Sequence, residues 1–203
     1  MKREFSFYEF VGILVPGVTL LFFTEILFEI IYSKTIIDFS KIGESLVFFI
    51  IAYGFGHILQ SIGNAHEWLI WKIYDGKPSS WLTKPSRFNQ KLFDEPQAKR
   101  ISDKIIQQFG EIENKDYGKS VYVFLASKSL TNRSDIFNGN YSLFRGLTIV
   151  FFILGIMVAK YIDLYYSIWP FIFFFLATAR MIRFAKLYAI EIYLTYNNIN
   201  PTT

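Results

Sequence analysis

Four stretches of this chain are almost purely apolar: Phe10 to Phe23, Leu46 to Leu59, Gly146 to Ala159 and Tyr165 to Ala179. A strictly apolar run of about 10–14 residues suits a buried helix of a soluble protein, whereas a membrane span needs about 20. The flanks decide between these. Tyr8, Tyr32, Tyr53, Tyr161, Tyr165, Tyr166 and Trp169 stand near the run ends as interfacial anchors do, and Ser, Thr and Gly carry most runs toward spanning length. Composition agrees, because 52% hydrophobic residues with only 19% charged exceeds the apolar share of about 45–50% usual in soluble domains. The expected fold is all-α, a four-helix transmembrane bundle with a small helical cytoplasmic domain. A compact soluble α-protein with unusually greasy helices is the competing architecture.

Charge placement sets an orientation. With both termini and the long middle segment on one side, the two short connections hold only Lys34, Lys41 and Lys160 of the 21 Lys and Arg. The positive-inside rule then places both termini in the cytoplasm of a multi-pass protein. The first apolar run is expected to be a span and not a cleaved signal, since Glu9 interrupts its approach and Glu25 and Glu29 follow in place of a small-residue cleavage site. The absence of cysteine removes disulfides, thiolate metal sites and thiol nucleophiles, and it fits a bacterial inner membrane.

The chain divides into residues 1–74, two spans with a cytoplasmic extension; 75–132, a cytoplasmic helical cap; and 133–203, two further spans with an extended C-terminal helix. Pro16 and Gly17 fall in mid-span, where proline removes a backbone hydrogen bond and makes either a packing kink or a hinge. Glu25 and Glu29, one helical turn apart, either reach the interface or flank a cation pathway. Gly56 and Gly63 share one side of the second helix and would admit a close neighbour. That helix should end before Asp75-Gly76-Lys77-Pro78. In the cap, Asp94 and Pro96 start a helix with Ala98, Ile101, Ile105 and Phe109 at helical spacing, and a second amphipathic segment with Val121, Phe124 and Leu125 follows Gly118. About 55 residues bury too little core alone, so the cap should lean on the long helices or on another subunit. A helical register resumes at Asp135 and enters the third span at Arg145; the fourth span starts after Pro170 and runs on past Lys186 and Glu191.

The second span carries a polar stripe. At about 100° per residue, Tyr53, His57, Gln60, Asn64, Glu67 and Trp71 lie within about 80° of one another. Unsatisfied polar groups in hydrocarbon cost several kcal/mol, so this stripe must face protein or water. It either forms interhelical hydrogen bonds that fix the bundle or lines a water-filled lumen. Four helices enclose a pore poorly, so a lumen requires a homo-oligomer, with a tetramer favoured.

Fragments of catalytic motifs fail on inspection. His66-Glu67 begins a zinc-protease motif, but Ile70 stands where its second His belongs; Gly54-Phe55-Gly56 has Leu59 in place of the third Gly; Gly118-Lys119-Ser120 has Glu113 where a phosphate-binding loop needs Gly. No enzyme, cofactor or metal site is expected. A basic set, Lys72, Arg145, Arg180, Arg183 and Lys186, either anchors the chain to anionic membrane lipids or binds an anionic cytoplasmic ligand such as a nucleotide or oligonucleotide.

YEFVGILVPG near the start, YGFGHILQSIGN in the second span, NYSLFRG entering the third and RFAKLYAIEIY after the fourth resemble small four-span bacterial inner-membrane proteins. Some proteins of that layout are membrane effectors of antiphage defence. The resemblance implies an oligomer that changes membrane permeability when a nucleotide signal or partner protein changes state. The functional expectation is a regulated inner-membrane pore or membrane-disrupting effector; the alternative is a scaffold or sensor that recruits a cytoplasmic partner.

Overall fold

Hydrogen-bond demand in an apolar solvent leaves helices as the economical solution for a chain of this composition, and helices are what form. The computed structural model describes residues 8–34, 42–111 and 113–199; Lys2, Arg3 and Lys41 of the charge count lie outside them. A π-helical segment Tyr8–Leu14 leads into α1 (Val15–Tyr32), followed by α2 (Ile42–Tyr74), a 3₁₀ turn Pro78–Ser80, α3 (Glu95–Phe109), α4 (Asn114–Ser127), α5 (Asn132–Tyr161) and α6 (Ile168–Asn198). No strand occurs among the described residues. Four helical segments are long and apolar enough to cross a membrane, at Glu9–Tyr32, Leu46–Ser80, Asn132–Tyr161 and Ile168–Asn198. This is the architecture of a multi-pass membrane protein. At about 1.5 Å per residue the 33 residues of α2 exceed the roughly 30 Å hydrocarbon thickness by more than half.

Three boundaries differ from the sequence reading. α6 starts at Ile168 and takes Pro170 into its first turn, where the missing N–H has no helical acceptor anyway. α5 starts at Asn132, three residues before Asp135. α4 runs through Gly118, which is buried so closely against Ser79 that an added Cβ would lie 2.6 Å from the Ser79 Cβ. Glycine there permits close packing and does not mark the start of the helix. At the end of α2, Asp75 (φ 61°) and Gly76 (φ 117°) make the expected turn.

The described residues form two compact units, one running through Glu67 and including Gly139–Ile182, the other comprising Trp68–Asn138 with the residues from Arg183 on. In the first unit α1 and α2 approach backbone to backbone. A Cβ on Gly17 would strike the Ala52 carbonyl oxygen, and one on Gly56 the Ile13 carbonyl oxygen. Leu20, Leu27, Leu59, Ile149, Val150 and Leu154 fill the interior. The outward side is as apolar as the inward one: Phe22, Ile50, Ile58, Phe152, Phe173 and Phe175 are all exposed. A soluble helical protein would turn such residues inward, so lipid is the solvent this surface fits. Glu25 is buried in this unit, while Glu29 is exposed.

The second unit has its own core. Ile101 and Ile105 of α3, Val121 and Leu125 of α4, and Ile192, Tyr193 and Tyr196 of α6 bury one another. The Asp94 side chain caps α3 by accepting from the Gln97 N–H at 3.1 Å. At the C-terminal end of α6, Lys104 Nζ donates to the carbonyls of Tyr196 and Asn197, each at 3.0 Å, and of Ile199. A cation thus closes the negative end of a long helix. Burial pushes the Lys104 pKa below its ordinary value.

The glycine contacts are directly testable. Gly54 has open space where a Cβ would go, so Gly54→Ala should be neutral or stabilise by about 0.5–1 kcal/mol through helix propensity. Gly56→Ala should destabilise by about 1–3 kcal/mol through overpacking against Ile13. Thermal unfolding in one detergent should leave Gly54→Ala at or above the wild-type midpoint and place Gly56→Ala below it.

Candidate functional site

Pro16 has no N–H, and in an α-helix that N–H would serve the carbonyl of Gly12, four residues back. That carbonyl receives a donor from another helix. Gln60 of α2 donates through Nε2 to the Gly12 carbonyl, and from the same nitrogen to the Ser142 carbonyl of α5 at 2.9 Å. Its Oε1 accepts from Arg145 Nε at 2.8 Å. Arg145 Nη1 in turn donates to Glu67 Oε2 in an ion pair whose side chains are 12% and 6% exposed. The acceptors and the guanidinium leave one orientation of the Gln60 amide, and both of its N–H groups and one oxygen lone pair are used. Gly146 lets Pro16 and the amide come this close, since a Cβ there would lie 2.7 Å from Pro16 Cγ and 2.9 Å from Gln60 Nε2. The Arg145 stem lies on Gly63 in the same way.

The polar stripe is therefore divided along its length. Gln60 and Glu67, on one edge, are buried in the network of the first unit, and Trp71 is buried in the second unit, edge-on to Trp81. On the other edge His57 and Asn64 are exposed, with exposed Ser61 between them donating to the His57 carbonyl at 3.0 Å. Tyr53 is half-buried and meets the His57 ring edge to face, centroids 4.7 Å apart. An 80° arc is wide enough to straddle the line where α2 stops touching its neighbours.

The basic set is dispersed in role. Arg145 is held by Glu67 and Gln60. Arg180 and Arg183 are exposed, Lys72 is exposed with Nζ 5.1 Å from the Trp68 ring centroid, and half-buried Lys186 sits 5.6 Å from that of Trp81. Pro16 and Gly17 are both buried at the start of α1. His66, outside the sequence-derived stripe, packs edge-on to Phe174 and has Nε2 3.5 Å from Thr178 Oγ1. Among the described residues no group of three His, Cys, Asp or Glu could hold a metal ion.

Sequence reasoning missed the partnership of Arg145 with Glu67 and the role of the Gly12 carbonyl. A signal existed for both. Arg145 opens one apolar run and Glu67 follows another, so antiparallel spans bring opposite charges to the same end; counting back four from Pro16 identifies the carbonyl that needs a donor.

Comparison with known protein families, with curated proteins and with solved structures finds no match to this chain. The class is set by the fold: among the described residues the regular structure is helical, with four helices long and apolar enough to cross a membrane.

Arg145→Leu should leave Glu67 buried without this cation and cost about 3–5 kcal/mol. The double variant Arg145→Leu/Glu67→Leu should recover most of that loss. Chemical denaturation in mixed micelles reads both, and equal losses in single and double variants would contradict a coupled pair.

Proposed function

We propose that this protein is a regulated pore of the bacterial inner membrane, built from several copies with a tetramer favoured, with both termini in the cytoplasm. The observation that carries this reading is the exposed half of the α2 stripe. His57, Ser61 and Asn64 are exposed on a helix of membrane length, and polar side chains left in hydrocarbon are costly. Copies arranged around an axis would give those residues water. The interior of a single chain offers them none, because the Gln60 network and the apolar core occupy it. The second unit would then be the cytoplasmic regulatory part, and Lys72, Arg183 and Lys186 the charges offered to anionic lipid, to a nucleotide-type signal or to a partner protein. A role in antiphage defence belongs to the same proposal and rests on the likeness of the quoted motifs to small four-span inner-membrane proteins, some of which are defence effectors.

A second reading is favoured by a groove of about 520 Å³ in the second unit, lined by Trp81, Phe93, Lys91, Lys99, Ser102 and Asp103 among others. Its size suits a small ligand or a peptide side-chain cluster. On that reading the protein is a scaffold or sensor that holds a cytoplasmic partner at the membrane, and the exposed stripe serves only contacts between copies.

Purified oligomer of defined mass, reconstituted into liposomes, separates the two. A pore should release a small dye, and His57→Ala with Asn64→Ala should change the release rate at least severalfold while the oligomer persists. Tight liposomes under every ligand condition, with a partner co-purifying from native membranes, would favour the scaffold.

A further inference from the structure

The leading segment of α1 is joined to the bundle in an unusual way. Tyr8–Leu14 is π-helical and ends immediately before Val15 and Pro16. Wide π turns and proline each interrupt the regular ladder, and together they mark a place where a helix bends at low cost. The Gly12 carbonyl inside this segment is supplied by the side chain of Gln60, which also ties Ser142 of α5 and is itself held by Arg145. Ile13 rests on Gly56 through its backbone, with no side chain of Gly56 to interlock. One amide from α2 thus adds, at Gly12, a tie to the bundle beyond the segment's own π-helical bonds.

We propose that Tyr8–Leu14 is a movable arm hinged at Pro16 and that Gln60 is its latch. With the latch closed, the Gly12 carbonyl is paired and the arm lies against α2 and α5. Withdrawal of the amide, through loss of its hold on Arg145, takes from this carbonyl its donor from α2, which water would replace. Opening of the arm therefore requires water to reach this depth, and hydration of the site in turn favours the open arm. This device is independent of whether copies of the chain enclose a pore. Its chemistry uses two backbone carbonyls, one amide and one ion pair, and it changes no covalent bond.

The test exploits the reason for the latch. Pro16→Ala restores to α1 an N–H able to serve Gly12, so it should make Gln60 dispensable for the arm. Hydrogen exchange of the full chain in lipid nanodiscs, read on peptides covering residues 8–14, should rise about tenfold in Gln60→Leu, while peptides from residues 149–158 stay unchanged. In Pro16→Ala/Gln60→Leu the exchange should return to the wild-type level or below, and Pro16→Ala alone should slow it. If Gln60→Leu does not fold by itself, the Pro16→Ala single and the double variant still decide the matter. The proposal is overturned if residues 8–14 exchange no faster in Gln60→Leu, if exchange rises equally throughout the first unit, or if Pro16→Ala leaves the double variant as loose as the single one. The last two results would make Gln60 ordinary interhelical glue.

Discussion

A backbone carbonyl without a donor is a small defect in water and a large one inside a membrane, where no solvent molecule waits to fill it. Pro16 withholds from Gly12 the donor an α-helix would give it, and Gln60 of α2 supplies one from outside. The donor, Gln60, must be oriented, and Arg145 orients it. Arg145 brings a charge into the interior, and Glu67 balances it. Space for these groups comes from glycine on the facing helices, so a single proline in α1 is linked to side-chain choices on α2 and α5. Each link answers the previous one, and removing any of them takes a partner from a buried polar group.

The division of the α2 stripe follows from the same packing. α2 presents one side to α1 and α5, where Gly56, Gly63 and Ala52 let backbones approach and Gln60 and Glu67 reach their partners. A step of some 60° around the helix brings the surface to Asn64, His57 and Ser61, which the neighbouring helices leave uncovered. Side chains of one chemical kind thus have two occupations, one structural and one available.

Much of the fold was legible in the residues because its causes are local. Apolar length and aromatic flanks mark the four spanning helices, Asp94 and Pro96 mark the start of α3, and Asp75-Gly76 marks the end of α2. The site was only partly legible because its causes are pairings over distance. The period of α2 shows that Gln60, His57, Asn64 and Glu67 share an arc, yet which edge is covered depends on where α5 lies, and no local pattern contains that. Arg145 read as a surface charge because it stands at the head of an apolar run; the Gln60 oxygen and Glu67 make it an interior residue. The core of the second unit was half visible: the helical spacing of Ile101 and Ile105 indicates an apolar face, but its closure by Tyr193 and Tyr196 requires the distant end of α6.

The reach of the Gln60 junction also bears on how the chain is made. Its acceptor at Gly12 and its donor are 48 residues apart, and the Arg145 that orients the donor is a further 85 residues along. A nascent chain that has delivered α1 to the bilayer holds an unsupplied carbonyl, and after α2 it holds Glu67 without this counter-charge. Synthesis of α5 ends both conditions together. A chain that stops short of α5 thus keeps polar groups that the finished protein pairs by assembling three helices around one amide.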